Sequence, residues 1–343
     1  MSAPRKAVVT GGRGYLGSLV TRQLAEHGWS VHTVDNGLTS RQRITQPNVW
    51  HVDADVRDIG DWRGLLAGVD AVVHLAAVVG DPACDVDHDL AWETNYLATV
   101  RLAEACRAAE TGRLVMASTC STYGTSEEEP AGTGAPVRPR SVYALTKVHA
   151  EHHLLSQWQP GRAPCILRFA TLYGLSPRMR FDLAVNLMTA QAVKEGRLCV
   201  YGGAQWRPFL HVADASAAVL ASLVSGDPAL PSIYNCGSDA DNHRLIDVGR
   251  IIAREAGNDP ELVVKPGNDE RDYRVDFAPI RAELGFRPRY DLVSGVREIV
   301  AAIRGGHFPD YSAPAYSDYR LVRDAVAAEV PNATVRAPTT PVV

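Results

Sequence analysis

A glycine-rich turn near the start of the chain constrains its fold more than any other feature of the sequence. The stretch TGGRGYLG (residues 10–17) follows an apolar run at residues 6–10 and opens a helix-patterned segment at residues 16–27. Glycines at positions 11, 14 and 17 leave out side chains where a turn is tight, where backbone approaches a pyrophosphate and where helix meets sheet. The N-terminus of such a helix offers N–H groups to phosphate. This pattern predicts a strand, a turn and a helix that bind a dinucleotide.

The first half of the chain alternates short apolar runs with helix-patterned stretches. Such an alternation is typical of a parallel sheet covered by helices. Strands are predicted at residues 6–10, 31–35, 49–52, 71–74, 114–118 and 166–169, and helices at residues 16–27 (with Gly28 as a stop signal) and 92–109. We therefore predict an α/β fold with a Rossmann-like doubly wound parallel sheet.

From about Leu175 the spacing changes and indicates a smaller C-terminal α/β lobe that binds substrate. Helices are predicted at residues 181–195, 213–224, 245–256 and 293–303, and strands at 198–201, 233–236 and 262–265. We assign residues 1–174 to a cofactor-binding domain, whose sheet the chain rejoins within about residues 205–240. Residues 175–327 form the interleaved lobe, and residues 328–343 are expected to be a disordered tail.

Composition excludes several classes of function. The net charge of −4 gives no basic footprint for nucleic acid. The sequence contains no apolar stretch of the ~18 residues that a membrane helix needs, and no secretion signal. Six scattered cysteines without a CxxC pair indicate reduced thiols in a cytoplasmic protein. The histidines at 149, 152 and 153 do not form a coherent ligand set, so we expect no metal.

An acidic residue at the end of the second predicted strand bears on the choice of cofactor. Asp35 comes 18 residues after Gly17, where a carboxylate accepts hydrogen bonds from ribose hydroxyls and repels a 2′-phosphate. NAD is therefore expected, and NADP is less favoured. The cofactor-binding residues that we predict are Gly11, Gly14, Tyr15, Leu16, Gly17, Asp35, Asn36, Asp55, Val56, Leu75, Ala76, Ala77, Asn95, Tyr143 and Lys147.

A tyrosine and a lysine four residues apart occupy one face of a predicted helix. In YALTK (residues 143–147) a neighbouring ammonium is expected to favour the phenolate of Tyr143, whose unperturbed pKa is about 10. Thr119 follows the fifth predicted strand and adds a hydroxyl at the sheet edge. The three side chains form a candidate acid–base site.

Further motifs occur in a specific order along the chain. They are HLAA (74–77), STCSTYG (118–124), YALTK (143–147), LRFATLYG (167–174), RPFLHVAD (207–214) and YNCGS (234–238). With the glycine turn, they make the sequence resemble the extended short-chain dehydrogenase/reductase family, in its nucleotide-sugar epimerase/dehydratase branch, over about residues 5–305. The resemblance implies that Tyr143 is the acid–base, that Lys147 orients it and binds the nicotinamide ribose, and that Thr119 contacts the sugar oxygen.

The same resemblance implies a site for the substrate, a nucleoside-diphosphate sugar. Asn186 and Arg207 match positions that contact the diphosphate, and either Arg271 or Arg274 matches a second phosphate arginine. Arginine suits a diphosphate because its planar fork can bond two oxygens. Cys120 and Ser121 are expected beside Thr119 at the sugar, and residues 80–84 near the pocket.

The residues after Thr119 bear on the reaction. Dehydratases of this branch carry an acid one or two residues after the catalytic hydroxyl, and the 3,5-epimerases that resemble it carry a cysteine two residues after, whereas this chain has Cys120 and Ser121. We expect an NAD-dependent epimerase, at C4 through a 4-keto intermediate. The alternative is an NAD(P)H-dependent 4-keto-sugar reductase in deoxysugar biosynthesis. An intact set of Thr119, Tyr143 and Lys147 argues against a catalytically silent binding protein.

The resemblance also implies a homodimer, built through the helices at residues 92–109 and 142–158. The nucleotide, the sugar and the reacting carbon stay open at this point.

Overall fold

A parallel sheet forms the centre of the fold. The computed structural model describes residues 4–126, 129–157, 163–225 and 232–329. In chain order its strands are β1 (Lys6–Thr10), β2 (Ser30–Asp35), β3 (Val49–Asp53), β4 (Ala71–His74), β5 (Arg113–Thr119), β6 (Cys165–Phe169), β7 (Thr171–Tyr173), β8 (Arg197–Tyr201), β9 (Trp206–His211), β10 (Ser232–Cys236), β11 (Asn242–Arg244) and β12 (Glu261–Lys265). The central sheet has the order β3-β2-β1-β4-β5-β6-β10. Its neighbours are parallel, as in a doubly wound fold.

Both faces of this sheet are buried, which explains the near-continuous apolar runs of its strands. The helices are α1 (Tyr15–Glu26), α2 (Asp81–Cys84), α3 (His88–Trp92), α4 (Ala98–Ala108), α5 (Val142–Ser156), α6 (Ala184–Glu195), α7 (Val212–Val224), α8 (Leu245–Ala256), α9 (Ala278–Leu284), α10 (Leu292–Arg304) and α11 (Asp318–Glu329). Val9 of β1 lies in the core that α1 and α7 cover, and Val8 lies in the core under α4 and α5. Successive residues of one strand thus anchor opposite layers.

The second lobe is interleaved with the sheet. Strands β7, β9 and β11 form a three-stranded sheet, and β8 pairs in parallel with β12. Helices α6, α8 and α10 contact one another around these strands. Between these elements the chain returns to the central sheet, where β10 pairs with β6. The return brings the second lobe against the carboxyl ends of β1, β4 and β5, where doubly wound folds bind ligands.

Several elements differ from the sequence-based predictions. The helix expected at 181–195 begins at Ala184, because Leu183 is extended and Phe181 packs against Phe308, Tyr311 and Tyr316. The helix expected at 92–109 begins at His88 as α3 and passes through a π-turn at residues 93–97 into α4.

Helix α11 was not predicted, and it extends to Glu329 where a disordered tail was expected from residue 328. Residues 330–343 and Trp158, at the end of the helix expected at 142–158, lie outside the described residues. Within the described part of the chain, no helix has the length and hydropathy that a membrane span requires.

Candidate active site

A cleft of about 460 Å³ lies between the central sheet and the second lobe. It extends from the glycine turn, along the ends of β4 and β5, to side chains of the second lobe and of α11. Of the residues predicted to form the site, the cleft is lined by Gly11, Gly14, Tyr15, Leu16, Gly17, Asp35, Asn36, Asp55, Val56, Leu75, Ala76, Ala77, Thr119, Ser121, Tyr143, Lys147, Arg207 and Arg271.

The glycine turn has no room for side chains. Gly11 has a φ of +71°, and a Cβ atom there would lie 2.8 Å from the backbone nitrogen of Ala76. A Cβ atom on Gly17 would lie 2.0 Å from the carbonyl oxygen of Gly11. Among the described residues, no side chain caps the N-terminus of α1 at Gly14. The first N–H groups of α1 therefore remain available to a pyrophosphate, so the turn fits NAD.

Polar groups at the ends of β2 and β3 line the cleft where the sequence predicts the adenosine of the cofactor. The carboxylate of Asp35 accepts hydrogen bonds from the backbone N–H groups of Arg13, at 3.0 Å, and Gly37, at 2.8 Å. The side-chain amide of Asn36 donates to Asp55 at 2.9 Å. Asp35 thus ties the glycine turn to the loop after β2. A carboxylate oxygen can accept a further bond, so Asp35 can still receive a ribose hydroxyl.

The residues predicted to act as acid and base lie where helix α5 meets the end of β5. Ser141 caps α5 by accepting a hydrogen bond from the backbone N–H of Ala144 at 3.2 Å. One turn into the helix, the ammonium of Lys147 donates to the carbonyl oxygen of Ala117 at 3.0 Å. Tyr143 and Lys147 both line the cleft. Helix and strand together therefore fix the position of the ammonium.

Thr119 ends β5 and has two roles in the structure. Its hydroxyl accepts a hydrogen bond from the backbone N–H of Ser121 at 3.1 Å and lies 2.8 Å from the Ser121 hydroxyl. The side chain thus caps the short helix that follows the strand. Because Thr119 and Ser121 also line the cleft, this hydroxyl pair can contact a sugar oxygen there.

Burial dominates the electrostatics of the Tyr143–Lys147 pair. It lowers the pKa of Lys147 from 10.5 to about 8. The pKa of Tyr143 is raised well above its usual value, first by burial and then by nearby Cys84 and Asp81. Desolvation therefore opposes the phenolate that the neighbouring ammonium was expected to favour, in the protein without its cofactor.

A buried polar network supports the acid–base residues from behind. Glu151, one turn after Lys147 on α5, accepts hydrogen bonds from Arg168 at 2.6 and 3.0 Å and also from the hydroxyl of Ser118. The side chains of Glu151 and Arg168 are 1% and 5% exposed. Arg168 also donates to the phenol oxygen of Tyr123 at 2.9 Å. The sequence analysis did not single out this network, although the i, i+4 spacing from Lys147 was a usable signal.

On the substrate side, two arginines share one carboxylate. The guanidinium groups of Arg207 and Arg271 each lie 2.7 Å from Asp269, and Arg271 also lies 2.7 Å from Asp81. Burial would raise the pKa of Asp269, but Arg271 and Arg207 hold it well below its usual range. The four groups line the cleft. The two carboxylates hold the two arginines in place, and the arginine pair can bind a diphosphate.

One of the two candidate phosphate arginines lines the cleft. Arg271 lines it, whereas Arg274 lies outside the lining, with its guanidinium 5.5 Å from the ring centre of Trp206. Arg274 turns towards Trp206, so Arg271 is the arginine that we carry forward as the candidate for the diphosphate.

Cys120 was expected beside the sugar, but it is buried behind β5. Its thiol donates to the carbonyl oxygen of Arg168 at 3.1 Å, and its side chain is absent from the cleft lining. Of the loop at residues 80–84, Gly80, Asp81, Pro82 and Ala83 line the cleft, while Cys84 is buried and donates to Val78. Both cysteines therefore have structural partners rather than a place in the cleft.

Two predicted asparagines also support the site from outside the cleft. Asn186 is fully buried and bonds the backbone N–H of Gly174, the carbonyl oxygen of Arg180 and the phenol of Tyr15. Asn95 is fully buried and bonds both backbone groups of Val78. Neither lines the cleft. Their amides form hydrogen bonds with backbone groups of loops that do line the cleft. Residue type alone does not distinguish an asparagine with this structural role from one that binds a ligand.

The structure adds cleft residues that the sequence analysis did not identify. Arg180 and Asp182 lie in the segment before α6, and Asp318, Tyr319 and Val322 lie on α11. Arg180 binds Asp182 at 2.8 Å and Asp318 at 2.9 Å. The sequence offered only the alternation of charges in RMRFD (178–182), which does not distinguish a cleft from a surface. Among the described residues, no three potential ligands are grouped to hold a metal ion.

One cleft thus combines a glycine turn that fits a dinucleotide, a tyrosine and a buried lysine from one helix, and a pair of arginines, which is the set of groups that a nicotinamide-dependent enzyme needs. Comparison with known proteins gives the family. The sequence model of the NAD dependent epimerase/dehydratase family matches residues 7–237, so the chain belongs to this family. NAD is therefore the cofactor, and the Rossmann-like fold and the resemblance stated from the motifs are confirmed.

Individual relatives span most of the chain. A putative UDP-glucose 4-epimerase of Methanocaldococcus jannaschii is 28% identical over 307 residues, which cover 85% of this chain and 96% of that protein. A dTDP-glucose 4,6-dehydratase of Actinoplanes sp. is 28% identical, with 87% and 98% covered. The crystal structure of a UDP-glucose 4-epimerase of Thermus thermophilus in complex with NAD is 28% identical, covers 88% of this chain and 99% of its own, and has a TM-score of 0.75.

Proposed function

We propose that this protein is an NAD-dependent epimerase of a nucleoside-diphosphate sugar that inverts C4 through a 4-keto intermediate. The proposal depends on one observation, which is that all the groups needed for the reaction line one cleft. Tyr143, Lys147 and Thr119 line the same cleft as the glycine turn and the Arg207–Arg271 pair. A sugar held by its diphosphate at the arginines would present a hydroxyl to Tyr143. Relatives that are named as UDP-glucose 4-epimerases support the same reaction.

In this mechanism Tyr143 removes the proton of the C4 hydroxyl and later returns it. When bound, NAD supplies the acceptor for the C4 hydride and a positive charge that favours the phenolate. Lys147 is cationic below about pH 8, since its lowered pKa lies there, and stabilises the phenolate from below. Thr119 and Ser121 orient the sugar oxygen. Glu151 joins α5 to β6 through Arg168 and to β5 through Ser118, which holds the helix in place on the sheet.

Two features support epimerisation over the other reactions of the family. The residues after Thr119 are not acids, and Cys120 turns away from the cleft. A dehydratase would need an acid there to eliminate water. Asp35 favours NAD, which an epimerase regenerates within each turnover, whereas biosynthetic reductases more often use NADPH.

The decisive experiment is turnover without added cofactor. The purified protein should interconvert a nucleotide hexose and its C4 epimer in deuterated water, with no deuterium at C4, as followed by NMR. A requirement for stoichiometric NADH or NADPH would instead establish the 4-keto-sugar reductase. Loss of the 6-hydroxyl as water would establish a dehydratase.

We further propose a cytoplasmic homodimer that pairs α4 and α5 of each subunit. Leu145 on α5 is 37% exposed, an unusual position for a large apolar side chain of a helix that otherwise packs on the sheet. Light scattering of the eluting protein should give the mass of two chains. A Leu145→Glu variant should shift that mass to one chain.

A further inference from the structure

Helix α11 forms one side of the cleft. Among its 12 residues, Asp318, Tyr319, Val322, Ala325 and Val326 line the same cleft as the glycine turn and Tyr143. Positions 318, 322 and 326 are spaced by four residues, so they share one face of the helix. This face points into the cleft, while Asp324 and Ala327 on the other side are exposed.

The contacts of α11 place it beside the reacting end of the cleft. Val322 is 2% exposed and belongs to an apolar cluster with Val78, Ala83, Cys84 and Ala91. Tyr143 and Val326 pack against this cluster. A sugar whose hydroxyl reaches the phenol of Tyr143 must therefore lie against the surface that α11 helps to form.

Charged groups fix the start of α11 against the segment before α6. The carboxylate of Asp318 lies 2.5 Å from Arg178 and 2.9 Å from Arg180, and its backbone N–H donates to Asp182 at 2.7 Å. Both arginine side chains are buried. Breaking such a buried pair leaves an uncompensated charge, which disfavours detachment of the helix.

The chain that leads into α11 is fixed as well. The backbone N–H of Phe181 donates to the carbonyl oxygen of Tyr316 at 2.9 Å. The ring of Phe181 packs edge-on against those of Phe308 and Tyr316. These contacts make α11 a fixed wall and not a loosely held flap.

We propose that α11 is the wall of the sugar pocket and that Val322 and Val326 determine which sugar substituents the enzyme accepts. This proposal rests on the proposed function, since it takes the ligand to be a nucleoside-diphosphate sugar. The substituents concerned are those on the carbons next to the one that Tyr143 serves. Their size is limited by the two valine side chains, because a packed wall cannot yield by even a methyl group without cost.

The test separates binding of the nucleotide from binding of the sugar. UDP, TDP, GDP and CDP are first compared by calorimetry with the NAD-loaded protein. Dissociation constants are then measured for the preferred diphosphate, its hexose and its N-acetylhexosamine, in the wild type and in Val322→Ala, Val326→Ala and Val326→Phe. Asp324→Ala, on the exposed face of α11, is the matched control. Val326 is only half-buried, so its variants remain informative if Val322→Ala fails to fold.

We expect the affinity for the free diphosphate to stay within about twofold in all variants. The ratio of the two sugar dissociation constants should shift about tenfold towards the bulkier N-acetyl sugar in the alanine variants, a size typical for one or two methyl groups. Val326→Phe should weaken both sugars. If the ratio stayed unchanged in the alanine variants and Val326→Phe bound both sugars like the wild type, this proposal would be overturned while the proposed function would stand. Absence of binding for every diphosphate would overturn the proposed function, and this proposal with it.

Discussion

The ammonium of Lys147 lies 3.0 Å from the carbonyl oxygen of Ala117, two residues before Thr119 in the same strand. This bond ties the helix that carries Tyr143 to the strand that ends in Thr119. The contact between α5 and β5 therefore links the positions of all three side chains.

The depressed pKa of Lys147 predicts a particular pH dependence of stability. Its folded-state pKa is about 8 and its ordinary value is 10.5, so the unfolded chain binds more protons between these pH values. The penalty for burying the ammonium is fully present below pH 8 and is relieved as the pH rises towards 10.5. In cofactor-free protein, the unfolding free energy of the wild type should therefore rise relative to that of Lys147→Met, by up to about 1.4 kcal/mol per pH unit.

Urea unfolding at pH 7.5 and pH 10 measures this difference. The exposed Lys194 supplies the control, and Lys194→Met should run parallel to the wild type. A constant gap between wild type and Lys147→Met at both pH values would show that the ammonium is not desolvated as described.

The Glu151–Arg168 pair should contribute strongly to stability. Removing one partner of a buried ion pair typically costs about 3–5 kcal/mol. We expect a loss of this size for Glu151→Ala in chemical denaturation. Asp247→Ala, which breaks the exposed Asp247–Arg250 pair, should cost less than about 1 kcal/mol. Equal effects of the two substitutions would contradict the role given to the buried network.

Arg271 and Arg274 form a matched pair for testing the diphosphate site. Arg271 lines the cleft and Arg274 stacks on Trp206 outside it. A hydrogen bond to a charged group is worth about 1.5–3 kcal/mol, so Arg271→Ala should weaken the nucleoside diphosphate about 10- to 100-fold. Calorimetry should show Arg274→Ala close to the wild type. A larger loss for Arg274→Ala would reverse the assignment.

Asp35 should govern the choice of cofactor. Asp35→Asn removes the charge that receives the ribose hydroxyls and that repels a 2′-phosphate. The affinity for NAD should fall about 10-fold or more, and that for NADP should fall less or rise. The exposed Asp58, in the loop after β3, supplies a control of equal charge change. If Asp58→Asn shifted the preference equally, a general charge effect would replace the specific one.

Much of the fold followed from local patterns. Each central strand is a buried apolar run. The glycine turn forms because Gly11 and Gly17 have no Cβ atom that would collide with the neighbouring backbone. These are properties of neighbouring residues, so a single sequence carries them. The same holds for Tyr143 and Lys147, which one helical turn brings together.

The parts that the sequence did not reveal depend on distant partners. Asn186 and Cys120 have residue types that suit a site, but their neighbours in the fold turn them towards backbone groups. Asp269 neutralises Arg207 across 62 positions, and Asp318 of α11 binds Arg180 across 138 positions. Such pairs have no local pattern. Helix α11 is the exception, because its amphipathic pattern at residues 318–329 is local.

In the proposed mechanism Tyr143 transfers the proton, while other residues hold NAD and the diphosphate. The most direct measurement is turnover of Tyr143→Phe, together with its dissociation constants for NAD and for the nucleoside diphosphate. Phenylalanine keeps the ring and removes only the hydroxyl. We expect turnover to fall about 10²- to 10⁴-fold, with both affinities near those of the wild type. A Tyr143→Phe enzyme as active as the wild type would contradict it.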